Sequence, residues 1–152
     1  MEEYYASDNQ IRTLVSAFEM CSFHPSEFRH YQHLTVALWY VWHFSPEEAT
    51  SKMTKGIRRL AETYGKTGYH ETITLFWLRI VSNFAAEHKE ESLAATANAL
   101  IDKYDDKDFI RQFYSEDLLA SAKAKAEWVE PDLKPLPQTE ASTRSRSTNV
   151  TT

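Results

Sequence analysis

The chain has 152 residues, 42% of them hydrophobic and 13% aromatic, with a net charge of −5, enough to bury one core and little more. Its 3 glycines argue against a glycine-rich phosphate loop or a turn-rich β-sandwich, and its single cysteine, Cys21, excludes an intramolecular disulfide and any multi-cysteine metal site. The acidic balance supplies no electrostatic pull toward nucleic acid or an anionic membrane.

No apolar run approaches the roughly 18 residues of a membrane span, and no basic-then-apolar leader opens the chain, so a soluble cytoplasmic protein is the expectation. Ser7 and Asp8 are N-cap candidates for a first helix in which Ile11, Leu14, Val15 and Phe18 recur at helical spacing. Glu19 borders that apolar face and Ser22 ends the run. Pro25 opens a second helix reaching Phe44. Ser45, Pro46 and Glu48 form a capping-box start for a third, with Ala49, Met53, Ile57, Leu60 and Tyr64 inward and Gly65 as its C-terminal glycine.

A fourth helix, from about 69 to 88, is apolar on several faces through Ile73, Leu75, Phe76, Trp77, Leu78, Ile80, Val81 and Phe84, which predicts a central position. Leu93, Ala97, Leu100, Ile101 and Tyr104 mark a fifth. The acidic run from Asp105 to Asp108 suits a helix N-terminus. Ser115 caps a last helix, with Leu118, Leu119, Ala122 and Ala126 inward, running to Trp128 and stopped by Pro131. An extended strap follows to Pro137. From Gln138 onward the composition is Ser, Thr and Arg, too polar to offset its ordering entropy, so 138–152 is expected to be a disordered tail. The fold class predicted is all-α: one domain over 1–137, a bundle of about five to six helices.

The second helix carries the unusual chemistry. His30 and His33 fall at helical spacing with Leu34, Ala37, Val41 and Phe44, so both imidazoles continue the apolar stripe. Leaving a buried polar group unpaired costs roughly 1–3 kcal/mol, so the rest of the chain or a ligand must supply partners. His70 and Glu71 open the fourth helix. The macrodipole favours the glutamate there and disfavours a cationic imidazole, which leaves the neutral form that a general base or a ligand-binding group requires.

The motifs resemble a small all-helical bacterial and fungal family to which no activity is attached. Its pattern is Phe-Glu, then Phe-x-His-x-x-His-Leu, then Tyr-His-Glu-Thr-x-Thr, then Trp-Val-x-Pro-Asp-Leu. Here these stand as Phe18-Glu19, Phe28 to Leu34, Tyr69 to Thr74 and Trp128 to Leu133, covering most of the chain up to Pro137. The resemblance implies one helical domain with these polar residues gathered. Met20-Cys21-Ser22 departs from it, standing where a small glycine-containing turn is expected.

Three readings of the histidines stay open. Glu19, His30, His33 and His70 would make a mixed nitrogen and oxygen set for a divalent zinc, iron or manganese ion, with Glu71 able to share it. Without metal, His30, His33, His70 and Glu71 would act as catalytic bases and their orienting groups on a small organic molecule, in a pocket between the first, second and fourth helices. Tyr31, Ala37, Thr74 and Trp77 would line that pocket. The alternative is a non-catalytic ligand-binding or dimeric interaction protein in which the cluster is structural. Thr72 and Thr74 are expected to satisfy backbone groups, His43 and His88 to sit at helix ends or in solvent, and His24 in a turn. Cys21 is expected to be a small buried apolar group. A homodimer is the expectation from base rates and from the aromatic excess.

Overall fold

Most helices of this chain begin where a side chain accepts one of the first free N–H groups, those starting at Asp8 and His30 excepted, so that Ser7 makes no capping bond; the computed structural model describes residues 3–137. Ser45 accepts from the Glu48 N–H at 3.2 Å while the Glu48 carboxylate accepts from the Ser45 N–H at 3.3 Å, a complete capping box for the helix Pro46–Thr63. Ser92, Ser115 and Ser121 each cap a later helix through the same side-chain oxygen.

The described residues form seven α-helices and no strand: α1 Asp8–Glu19, α2 His30–His43, α3 Pro46–Thr63, α4 Glu71–Glu87, α5 Leu93–Tyr104, α6 Glu116–Ala120 and α7 Ala122–Ala126. Two 3₁₀ turns, Pro25–Glu27 and Phe109–Gln112, lie between them. The chain is therefore all-α, and no helix among the described residues is long and apolar enough to cross a membrane. The tail expected over 138–152 lies outside the described residues.

Three boundaries differ from expectation, each because a side chain found a better partner. Pro25 opens only a 3₁₀ turn, capped by His24, whose Nδ1 accepts from the Ser26 N–H. The chain then leaves helical geometry at Phe28, whose buried ring packs on Phe18 and Phe23 with centroids 5.0 and 5.5 Å away, and α2 starts at His30. The fourth helix begins at Glu71, since His70 serves as its cap. The last helix divides into α6 and α7 at Ser121, whose hydroxyl donates to the Leu118 carbonyl and accepts from the Ala124 N–H.

α2 packs against α1, α3, α4 and α5, while α4 packs against α2, α3, α5 and α7. The centre expected of α4 alone is thus shared with α2, which buries Leu34, Thr35, Val36, Ala37, Leu38 and Tyr40 around most of its circumference. The N-terminal segment is tied to α5 by Asn98, which accepts from the Tyr4 and Tyr5 N–H groups and donates to the Tyr5 carbonyl. On α3 the inward set is Ala49, Met53, Gly56 and Leu60, while Ile57 is half-buried and Tyr64 exposed.

α1 ends in a left-handed residue. Cys21 has φ +53, its N–H bonds the Phe18 carbonyl, and the Ser22 N–H reaches back to Ala17 at 2.9 Å. The family pattern expects a small residue at this turn for this backbone reason, and Cys21 occupies it half-buried rather than buried.

Gly56 sets the approach of α3 to α1. A Cβ there would fall 2.6 Å from Cζ of Phe18, a ring with no exposed surface and no room to swing. Gly56→Ala gains about 1 kcal/mol of helix propensity and pays overpacking of roughly 1–3 kcal/mol. A lowered thermal midpoint is the expected result; a midpoint above the parent's would mean the α1–α3 contact is loose.

Candidate functional site

Between α2, α3, α4 and the segment 105–120 lies a cleft of about 1210 Å³. From α2 it receives His30, Tyr31, His33 and Ala37; from α3, Met53 and Ile57; from α4, Ile73, Thr74, Trp77 and Leu78. His70 stands at the head of α4, and Asp105, Ile110, Arg111 and Leu119 are among those closing the far wall. The expected pocket between the first, second and fourth helices is therefore corrected: α1 contributes no wall, and α3 with segment 105–120 takes its place. The chain folds this way because His30, His33 and Ala37 lie along one face of α2 at spacings of three and four, and His70, Thr74 and Trp77 do the same from the head of α4.

His30, His33 and His70 all reach this cleft, yet their hydrogen bonds differ. His70 Nε2 donates to the Leu119 carbonyl at 2.7 Å, and its Nδ1 accepts from the Ile73 N–H at 3.2 Å. A carbonyl can only accept and an amide N–H can only donate, so these partners set the tautomer with the proton on Nε2 and occupy both ring nitrogens. His30 Nε2 donates to the Tyr104 carbonyl at 3.1 Å, and its ring meets Trp77 edge-on at 4.5 Å. Two imidazoles thereby pin both ends of segment 105–120, the wall opposite them.

His33 makes no side-chain hydrogen bond to any described residue. Its ring lies on Phe28 at 4.0 Å and stays half-buried on the cleft. Burial, and after it the neighbouring His30, holds His33 down at about 3, so at neutral pH it is an uncharged ring with one donor and one acceptor to offer. Burial also lowers His30, against the opposing pull of the Tyr104 carbonyl and of Asp105 and Asp106.

The carboxylates go elsewhere. Glu19 is exposed and accepts from the Tyr40 hydroxyl at 2.7 Å, in a separate hollow with Lys52, Lys55 and Arg59. Glu71 accepts from the Tyr69 hydroxyl at 2.6 Å and pairs with Arg58 at 3.4 Å. Burial and then that bond push Tyr69 up to about 12. The structure thus does not bring Glu19 to the histidines, and among the described residues no three His, Cys, Asp or Glu side chains are grouped to hold a metal ion.

Thr72 and Thr74 satisfy backbone groups, the first donating to Glu127 and accepting from Val129, the second donating to the His70 carbonyl. His43 is exposed at the end of α2, and His88 bonds the Phe84 carbonyl at the end of α4. Sequence reasoning missed the far wall, because Tyr104 and Leu119 meet their histidines across 74 and 49 residues through main-chain carbonyls, which carry no side-chain signature. No family model matches this chain, and neither does any curated protein or solved structure.

Proposed function

We propose that this is a small-molecule-binding helical protein whose ligand sits in the cleft and takes its polar contact from His33. One observation carries the reading: the His33 imidazole makes no side-chain hydrogen bond to the described residues and lines a space among aromatic and aliphatic side chains. Small-molecule sites have this form, an apolar concavity with a few placed polar groups. Catalysis is the second reading, favoured by His30 and His33 lining the same cleft one helical turn apart. It stands behind binding because a general base works best with a pKa near the working pH, and His33 is held at about 3. His70 and Glu71 are already engaged and act as positioning groups.

The test is occupancy. Denaturing extraction and mass spectrometry of the purified full chain, with elemental analysis beside it, is expected to yield a stoichiometric organic molecule. His33→Leu should keep the fold and lose that molecule. If His33→Leu melts like the parent and retains both occupancy and fragment binding, the reading is wrong. A recovered compound that the protein chemically converts would put catalysis first.

A further inference from the structure

The cleft divides by charge. Its formally charged lining residues, Arg29, Asp105, Lys107, Asp108, Arg111 and Glu116, are all exposed, three of each sign, whereas every buried or half-buried lining residue is uncharged apart from the imidazoles discussed above. Arg111 is also paired with Asp108 at 3.5 Å. A carboxylate carried to the depth of His33 would therefore meet no interior cation, and an ammonium would meet no interior carboxylate. Moving either charge inward without a partner is strongly unfavourable.

What the interior offers instead is specific. The His33 ring presents an N–H on one nitrogen and a lone pair on the other, neither used by the described residues, and a ligand hydroxyl can accept from the first or donate to the second, whichever edge faces the cleft. Aromatic rings line the cleft with it: Phe28 tilted against His33 at 4.0 Å, Trp77 edge-on to His30, and Tyr31 tilted against Tyr4 at 5.1 Å. At about 1210 Å³ the cleft has room for a body of two or more rings.

We infer that the ligand is an uncharged, flat, largely apolar molecule bearing a hydroxyl or equivalent donor–acceptor group that docks on His33. This rests on the reading of the cleft as a binding site and names the class of compound it takes.

Three probes of equal shape separate the possibilities: naphthol, naphthoate and methylnaphthalene, titrated calorimetrically into the full chain at neutral pH. The His33 ring and Trp77 indole NMR signals locate the bound probe. Naphthol is expected to bind about tenfold more tightly than either of the others, the worth of one net buried hydrogen bond. His33→Phe should remove that advantage, so that naphthol binds the variant no more tightly than methylnaphthalene does. Naphthoate binding as tightly as naphthol or more so, with Trp77 perturbed, overturns the uncharged class while leaving the binding site standing. Methylnaphthalene matching naphthol overturns the role given to the hydroxyl. Failure of all three to perturb His33 or Trp77 overturns both the class and the site.

Discussion

His70→Ala is expected to destabilise the protein by up to about 4 kcal/mol, because one side chain serves two partly buried backbone groups. Loss of the cap on the Ile73 N–H costs about 1 kcal/mol, and the Leu119 carbonyl left without its donor costs roughly 1–3 more. His70→Asn restores a capping oxygen but cannot span to Leu119, so it should recover only the first part. The opening should also be local. Amide exchange in α6 and in the preceding 3₁₀ turn is expected to accelerate more than exchange in α2, since the segment 105–120 loses its latch at one end. Urea melts of the three proteins decide it: a His70→Ala midpoint equal to the parent's would mean these two bonds contribute nothing.

The second large effect is acid sensitivity. His33 is held at about 3 by burial in the folded chain, against 6.5 for the free group. Between those values the unfolded chain takes up a proton that the folded chain refuses. Stability is therefore whole above the upper value and declines as pH falls through the window, at up to about 1.4 kcal/mol per pH unit. His30, also lowered by burial, adds to the same decline. Carboxylates held low contribute in a more acidic range; Asp132, kept down by its two bonds to Ser115, is one. The measurement is unfolding free energy from neutral pH down to mildly acidic pH, for the parent and for His33→Phe. The variant should show a shallower slope; equal slopes would mean His33 is not kept neutral in the folded chain.

The ligand-binding reading and the acid response share one cause. A ring surrounded by Phe28 and by the walls of the bundle loses the water that would stabilise its cation. Its nitrogens have no hydrogen-bond partner among the described residues and it lines the cleft, which is what leaves a polar contact open to a guest. Binding and acid sensitivity should consequently change together in any variant that opens the site.

Much of the fold was legible because helices announce themselves locally. The capping box at Ser45 to Glu48, the apolar periodicity of α1 and the inward set of α5 depend on residues three and four apart. That His30 and His33 share one face of α2, and Thr74 and Trp77 one face of α4, was legible for the same reason. Phe28 was not: it interrupts the second helix because its ring finds Phe18 and Phe23, and no spacing rule contains that contact. Ser121 divided the last helix by offering a second cap, a choice between two local bonding patterns that propensity does not rank.

The sequence by itself determined that the chain is all helical, where most helices start, and that two imidazoles would ride on the buried side of α2. Only the tertiary structure decided which of them is left without a hydrogen-bond partner among the described residues. His30 and His70 are claimed by the Tyr104 and Leu119 carbonyls, and Glu19 and Glu71 by the Tyr40 and Tyr69 hydroxyls. Those bonds depend on distance between groups remote in the chain, and backbone carbonyls are the same at every position. Side-chain identity therefore places a histidine on a face, and the packing of helices selects whether it becomes a strut or stays open to a ligand.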